Sequence, residues 1–257
     1  MHPWLIFVEG LKNWRVNWRK LAVIYLFVYL PLTLIDLFLV SRSGKLDLAQ
    51  IANSLLHWIL DALVMASLIL AVQEQLSSIT NKALGTIRGA LRHLWRYMLT
   101  ALVYGVIVLS IIMLAVVIIS FVFAAVIQMS TINMAILVAA ALALIACVTG
   151  VVYCVIRFAL AGVVCIIEEA WPLRALKTSR SLIKKHVTPV VGVFCFIFLI
   201  SGLLFFPGFM INALFASQAG GNTLFLIFYQ VVAGAVTVPI WVSVMVVLYK
   251  KLKEAVQ

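Results

Sequence analysis

Arg157, Asp61, His57 and Asp36 are charged or titratable side chains that lie inside long apolar runs of this sequence. A charge at the centre of a bilayer costs about 2.5–3.5 kcal/mol on insertion scales, so such residues usually pair with one another or line a polar path. Arg157 comes eleven residues before Glu168, where its apolar run ends, which is roughly 16 Å of helix. Asp61 lies at a similar depth, roughly 18–21 Å from the end of its own apolar run near Gln73. We therefore expect an Arg157–Asp61 pair in a bundle interior, with His57 adjoining one helical turn away.

Two roles are open for this polar group. In the first, the ion pair is structural and determines which helices pack together. In the second, Arg157 and Asp61 line a pathway for a proton, an ion or a headgroup. An internal cavity that reaches Arg157 and opens to one side would favour transport, and a closed bundle would favour the structural role.

Known catalytic and metal-binding patterns are absent from the sequence. It contains no GxxxxGK[ST] phosphate loop, no HExxH pair and no GxSxG nucleophile turn. His57 and Asp61 are spaced i, i+4, but a zinc site needs three or four protein ligands. The four cysteines all lie in apolar segments without a CxxC spacing, which is typical of small buried side chains. We therefore expect no enzymatic activity, no metal ion and no cofactor.

The composition indicates which solvent surrounds the chain. Hydrophobic residues make up 66% of the 257 residues and charged residues only 11%, whereas soluble domains are about half apolar and a quarter charged. The chain is therefore predicted to be an all-α integral membrane protein with a single domain, 1–257. Six apolar runs are long enough to cross a bilayer, approximately 21–40, 51–73, 97–127, 134–167, 187–212 and 224–249.

The basic residues are distributed unevenly between these runs. Lys and Arg number 19 against 8 acids, which gives a net charge of +11. Of the 18 outside the spans, 16 lie in every second connecting segment. Because cytoplasmic segments retain cations, both termini are predicted to be cytoplasmic. The basic segments are 1–20, 74–96, 168–186 and 250–257.

Three of these segments have apolar and basic residues at helical spacing. They predict amphipathic helices at about 3–20, 78–96 and 171–186, each lying at the membrane surface with its apolar side in the acyl boundary. Each precedes a pair of spans. One interpretation is therefore a three-fold internal repeat, in which each unit is one such helix followed by one transmembrane hairpin. Anionic lipid headgroups, or a membrane-protein partner, are the expected ligands, and nucleic acid is not. The residues expected to face the headgroups are Lys12, Arg15, Arg19, Arg88, Arg92, Arg96, Arg174, Lys177, Arg180 and Lys184.

One stretch carries a motif. Arg157 inside an apolar helix is followed by Glu168 and Glu169 and then by ALKTSRSLIK at 175–184. The order arginine, acid, then Ala-Leu-basic-x-Ser-x-x-Leu-x-Lys resembles the membrane domain of glycerophosphoryl diester phosphodiesterases and related small bacterial six-span membrane proteins of unknown function. The two glutamates are expected to contact the adjacent helix start and nearby Lys or Arg.

The resemblance implies a bacterial inner-membrane protein. It does not imply phosphodiesterase activity, because that activity belongs to a separate soluble barrel domain, for which six spans in 257 residues leave no room. Serine stands at both 179 and 181, so the register of the motif serine is open. The family often has Pro-Gly near the end of the third span, whereas this chain has Pro207-Gly208 in the fifth.

Taken together, these patterns favour a non-enzymatic accessory or scaffold protein whose basic cytoplasmic face binds anionic lipid or a membrane partner. The alternative is a small transporter or channel with Arg157 and Asp61 on its pathway.

Overall fold

The chain is helical wherever its structure is described. A computed structural model describes residues 2–40, 48–79, 82–128, 134–215 and 223–256. Helices account for 93% of these residues, and no strand occurs among them. The helices in the described residues are α1 Pro3–Val40, α2 Leu48–Leu76, α3 Ala83–Gln128, α4 Met134–Phe158, α5 Ala161–Ile167, α6 Pro172–Lys184, α7 Val187–Phe215 and α8 Thr223–Glu254. The prediction of an all-α fold is confirmed.

Five helical stretches of the described residues are long and apolar enough to cross a membrane. This indicates a multi-pass membrane protein. The sixth predicted span, 21–40 within α1, is not among the five. Three of the five predicted connections between spans fall largely on 41–47, 129–133 and 216–222, which lie outside the described residues. The five stretches are Ile51–Leu76, Ala83–Ser120, Ala141–Ile167, Val187–Met210 and Phe228–Glu254.

Two of the predicted surface helices are not separate helices. The segment 3–20 continues into the apolar part of α1, and most of 78–96 continues into that of α3. Neither junction contains a proline or glycine to end the helix, so α1 and α3 reach 38 and 46 residues. These lengths, about 57 and 69 Å, far exceed the ~30 Å hydrocarbon core. Only the third segment forms its own helix, α6, so the three predicted repeat units differ in this respect.

The α6 helix packs against the rest of the protein. It begins at Pro172, whose fixed φ suits a first helical turn. Ala175, Leu176, Leu182 and Ile183 are all buried. Two residues of its predicted apolar side, Leu176 and Ile183, therefore pack against the core, whereas Leu173 is 74% exposed. The placement of this helix at the membrane surface stays a prediction.

The predicted fourth span, 134–167, is broken. The α4 helix ends at Phe158, and α5 starts at Ala161 after a two-residue turn. Close packing follows the break: a Cβ on Gly162 would lie 2.8 Å from the ring of Tyr97, so glycine lets α5 approach α3. The break leaves backbone carbonyls near the end of α4 without an intrahelical partner.

The buried core lies at one end of the bundle, beside the basic segments. It is formed by the starts of α1, α3 and α7, the ends of α2 and α8, and α5 and α6. The central element is α8, which packs against α1, α2, α5, α6 and α7. Gly10 permits a close crossing of α1 and α8, since a Cβ there would lie 2.7 Å from the Cα of Val244. Away from this end, large apolar side chains such as Leu203 and Phe228 are exposed, as expected for surfaces that face lipid.

Candidate functional site

An ionic contact joins the end of α5 to α8. The Glu168 carboxylate accepts hydrogen bonds from the hydroxyl of Tyr249 at 2.6 Å and the ammonium of Lys253 at 2.8 Å. Partial burial opposes ionisation of this carboxyl, but the hydrogen bonds from Lys253 and Tyr249 outweigh it and hold the pKa of Glu168 below its ordinary value. Glu168 is therefore charged at neutral pH and links the two helices.

The next residue makes a second contact with a basic side chain. Arg96 donates to the backbone carbonyl of Glu169 at 2.9 Å, and its guanidinium lies 3.5 Å from the Glu169 carboxylate. Glu169 has a φ of 51°, a left-handed conformation that is uncommon for a residue with a side chain. The predicted contacts of both glutamates with nearby Lys or Arg are therefore present, whereas the start of α6 receives no capping hydrogen bond from the side chain of its N-cap residue, Trp171.

Two further acids at this end of the bundle are also next to cations. The Glu74 carboxylate lies 2.8 Å from the ammonium of Lys20 and accepts a hydrogen bond from Thr86 at 2.8 Å. Glu9 lies 3.3 Å from Lys251. These contacts tie the start of α1 to α2 and to the end of α8, so the basic segments meet at one end of the molecule.

The predicted headgroup-facing residues are mostly free of such contacts. Arg96 is half-buried and held by Glu169, whereas the other nine side chains are exposed. No carboxylate of the described residues lies within ion-pair distance of any of the nine. We call these nine the basic face: Lys12, Arg15, Arg19, Arg88, Arg92, Arg174, Lys177, Arg180 and Lys184.

Arg157 lies beside α6. Its backbone carbonyl accepts a hydrogen bond from the buried hydroxyl of Ser179 at 3.0 Å, which is made possible by the helix break that follows. Ser181 is exposed and bonds instead to the carbonyl of Thr178 at 2.8 Å. Ser179, and not Ser181, therefore connects α6 to the backbone of Arg157.

The Arg157 side chain has an aromatic neighbour but no hydrogen-bond acceptor among the described residues. Its guanidinium carbon lies 4.9 Å from the ring centroid of Tyr153, within the range of a cation–π contact. Its Nη1 atom is buried without a hydrogen-bond partner. Within the described part of the chain, no carboxylate lies within ion-pair distance of this guanidinium.

Asp61 has a different partner. The Tyr29 hydroxyl donates a hydrogen bond to the Asp61 carboxylate, and the Tyr29 ring stacks on Tyr25 with centroids 4.3 Å apart. His57 is half-buried, one turn earlier on α2. The structure does not bring Arg157 and Asp61 together. The reason lies in the helix arrangement, since α2 packs against α1, α3, α5 and α8, whereas α4 packs against α3, α6 and α7.

A cavity of about 180 Å³ lies between α2, α3, α4, α5, α7 and α8. Its lining is mainly aromatic and aliphatic and includes Tyr97, Phe158, Phe194 and Trp241. None of the three predicted intramembrane residues lines it. A second cavity, of about 270 Å³, lies near the basic end and includes Lys250 and Lys253 in its lining.

No group of three or more His, Cys, Asp or Glu that could hold a metal ion occurs within the described ranges. Comparisons with protein-family models, with curated proteins and with solved structures found no match. The fold therefore defines the class of the protein, a multi-pass helical membrane protein, and its function is inferred from the arrangement of its side chains.

Proposed function

We propose that this chain is a non-enzymatic accessory or scaffold protein of the bacterial inner membrane, whose basic face binds anionic lipid headgroups of the cytoplasmic leaflet. One observation carries the proposal. Nine exposed cations lie at the packed end of the bundle without a carboxylate partner among the described residues, while four acids at that end are each held by another cation.

The energetic argument follows from this separation of paired and unpaired charges. A Lys or Arg near an anionic leaflet contributes about 1 kcal/mol, and the attraction decays within about one Debye length. Exposed indole rings accompany the cations, since Trp18, Trp95 and Trp171 are 49%, 65% and 61% exposed. Tryptophan is enriched at membrane–water interfaces, so these rings support the same placement.

The contacts at the chain ends support both termini on one side and an even number of spans. Glu9 near the start of α1 pairs with Lys251 near the end of α8, and Gly10 packs directly on Val244. Termini on the same side require an even number of crossings. Five stretches meet the criteria of length and hydropathy, so α1 supplies the sixth crossing, as the sequence predicts for 21–40. The excess of cations makes the shared side cytoplasmic.

The resemblance to the phosphodiesterase membrane domain agrees with this proposal and stays a prediction. The alternative, a small transporter or channel with Arg157 and Asp61 on its pathway, also stays a prediction. No observation on the described residues favours it, because neither residue lines the apolar cavity and the two are not in contact.

The experiment is a lipid-selection assay. The purified protein is reconstituted in nanodiscs with equal phosphatidylglycerol and phosphatidylcholine, recovered in detergent, and its retained lipids are quantified. We expect enrichment of phosphatidylglycerol at low ionic strength that declines in high salt, because exposed charges are screened. The variant R174Q/K177Q/R180Q/K184Q should lose much of this enrichment. The matched control R174K/K177R/R180K/K184R keeps the four charges and should behave as wild type.

Equal retention of both lipids by the wild type would contradict the proposal. An acidic membrane-protein partner would then be the remaining occupant of the basic face. Equal enrichment in the glutamine variant and the charge-conserving control would show that α6 does not contribute to lipid selection.

A further inference from the structure

We infer that Arg157 binds the phosphate group of a membrane phospholipid. The inference starts from the Arg157 guanidinium, which has no hydrogen-bond acceptor among the described residues. A guanidinium carries five N–H donors and accepts no hydrogen bond. None of them is accepted by an oxygen of the described residues, and Nη1 is buried without a partner. A partly buried charge without an acceptor is unfavourable, so a counter-anion is expected at this position.

The neighbouring helices do not supply that anion. The helices packed against α4 are α3, α6 and α7, and neither α4 nor any of these three contains a single Asp or Glu. The two acids nearest in sequence, Glu168 and Glu169, are held by Lys253 and Arg96. The counter-anion must therefore come from outside the described protein.

The position of Arg157 points to lipid as the source. The ring of its neighbour Phe158 contacts Tyr104 at 6.3 Å between centroids, and Tyr104 lies eight residues, or about 12 Å, beyond Arg96 along α3. A long arginine side chain can direct its charged group back toward the headgroups over part of that distance. Tyr153 and Val152, one turn earlier on α4, are about half exposed, so this side of the helix faces the surroundings.

The local chemistry suits a phosphodiester. A guanidinium can donate two parallel hydrogen bonds to two phosphate oxygens, which a point charge cannot do. The Tyr153 ring lies against the guanidinium at 4.9 Å and limits its orientation. The Ser179 hydrogen bond holds the Arg157 backbone against α6, whose exposed Lys177 and Arg180 add positive charge nearby.

This site is distinct from the basic face, and either can fail without the other. The basic face selects lipids of net negative charge and weakens with salt. Arg157 needs only a phosphodiester, so a zwitterionic phospholipid binds there, and partial burial makes its binding less sensitive to salt.

Native mass spectrometry of the whole chain released from mild detergent tests the inference. We expect the wild type to retain about one phospholipid after washing in high salt, and R157Q to bind at least about tenfold more weakly, the scale of one lost charge-assisted contact. The matched control K185Q removes one exposed charge directly after α6, at a residue assigned to neither site, and should keep the adduct. R157K keeps the charge but loses the paired donors, so an intermediate occupancy is expected.

A second measurement requires no folded R157Q. The delipidated wild type is titrated with phosphatidylethanolamine, with diacylglycerol or with inorganic phosphate, and its thermal unfolding is followed. Phosphatidylethanolamine alone should raise Tm, and it should raise that of R157K less. Diacylglycerol acting equally well would overturn the role of the phosphate, and inorganic phosphate acting equally well would overturn the assignment to lipid. Full retention of phospholipid by a folded R157Q would overturn the assignment to Arg157.

Discussion

The ammonium of Lys253 lies 2.8 Å from the carboxylate of Glu168, across 85 residues of sequence. The contact fixes α8, the central helix, to the point where the chain turns from α5 into α6. Tyr249 donates to the same carboxylate at 2.6 Å. This arrangement stabilises the end of the bundle on which the basic face is built.

Removing the charge of Glu168 is expected to weaken that end. E168Q keeps the size of the side chain but loses the ionic contact with Lys253, and we expect the free energy of unfolding in detergent micelles to fall by about 1 kcal/mol. E169Q is the matched control, because the Glu169 side chain is 65% exposed, and it should change stability by less than about 0.5 kcal/mol. Equal losses in the two variants would contradict the role of the Glu168 contact.

The same contact predicts a pH dependence. The folded-state pKa of Glu168 is lowered from the ordinary 4.5, so its contribution to stability is complete above that value and disappears as the pH falls through the lowered pKa. The difference in unfolding free energy between wild type and E168Q should therefore be constant above about pH 5.5 and shrink in more acid solution. Thermal unfolding of both proteins across this range measures it, and a difference that grows on acidification would refute the assignment.

Adding one methyl group should disturb the crossing of α1 and α8. A Cβ at Gly10 would lie 2.7 Å from the Cα of Val244, which is backbone and cannot rotate away. We expect G10A to lose about 1–3 kcal/mol, the usual range for overpacking. G105A is the control, since nothing lies within 4 Å of its new Cβ, and its stability should stay within about 1 kcal/mol of wild type. Chemical denaturation in mixed micelles compares the two, and similar effects would argue against the close crossing.

Double-mutant cycles distinguish the observed partner of Asp61 from the one that the sequence predicts. Tyr29 donates directly to Asp61, so Y29F and D61N should be coupled by about 0.5 kcal/mol or more. R157Q and D61N should be additive within about 0.5 kcal/mol, because the two residues are on helices that are not neighbours. Strong coupling of Arg157 with Asp61 would show that the two residues interact.

Much of the fold follows from the sequence, because lipid imposes simple rules. A run of about 20 apolar residues in a bilayer must be helical, since every backbone group needs an internal partner. The helical class and the approximate positions of five stretches were therefore predictable. The break at Ala159–Leu160 was not, because neither alanine nor leucine is a residue type that typically ends helices. The sequence also did not show that two basic segments are the first parts of the long helices α1 and α3. Amphipathic patterning indicates which side of a helix is apolar, but it does not indicate where the helix ends.

The sequence could predict that basic residues would be exposed, but it could not predict which polar side chains would contact each other. Exposure of nine basic residues follows from their alternation with apolar positions, as in Arg88 and Arg92. Partners of buried polar groups depend on which helices touch, and depth matching alone selected Asp61 for Arg157. The isolated acid Glu74 at the end of an apolar run was an unused signal, since such an acid needs a neighbouring cation, which is Lys20. Nothing in the local sequence connects Tyr249 with Glu168.

The account depends most on one claim, that the whole basic face lies on the cytoplasmic side of the membrane. Single cysteines at Lys12, Arg88 and Lys177, in a background that lacks the four native cysteines, can be labelled in intact cells with a membrane-impermeant maleimide. A cysteine at Ser130, in the turn that the sequence predicts to be external, is the reference. We predict that Ser130 is labelled in intact cells and that the three basic positions are labelled only after permeabilisation. Labelling of any basic position in intact cells at the rate of Ser130 would contradict the account.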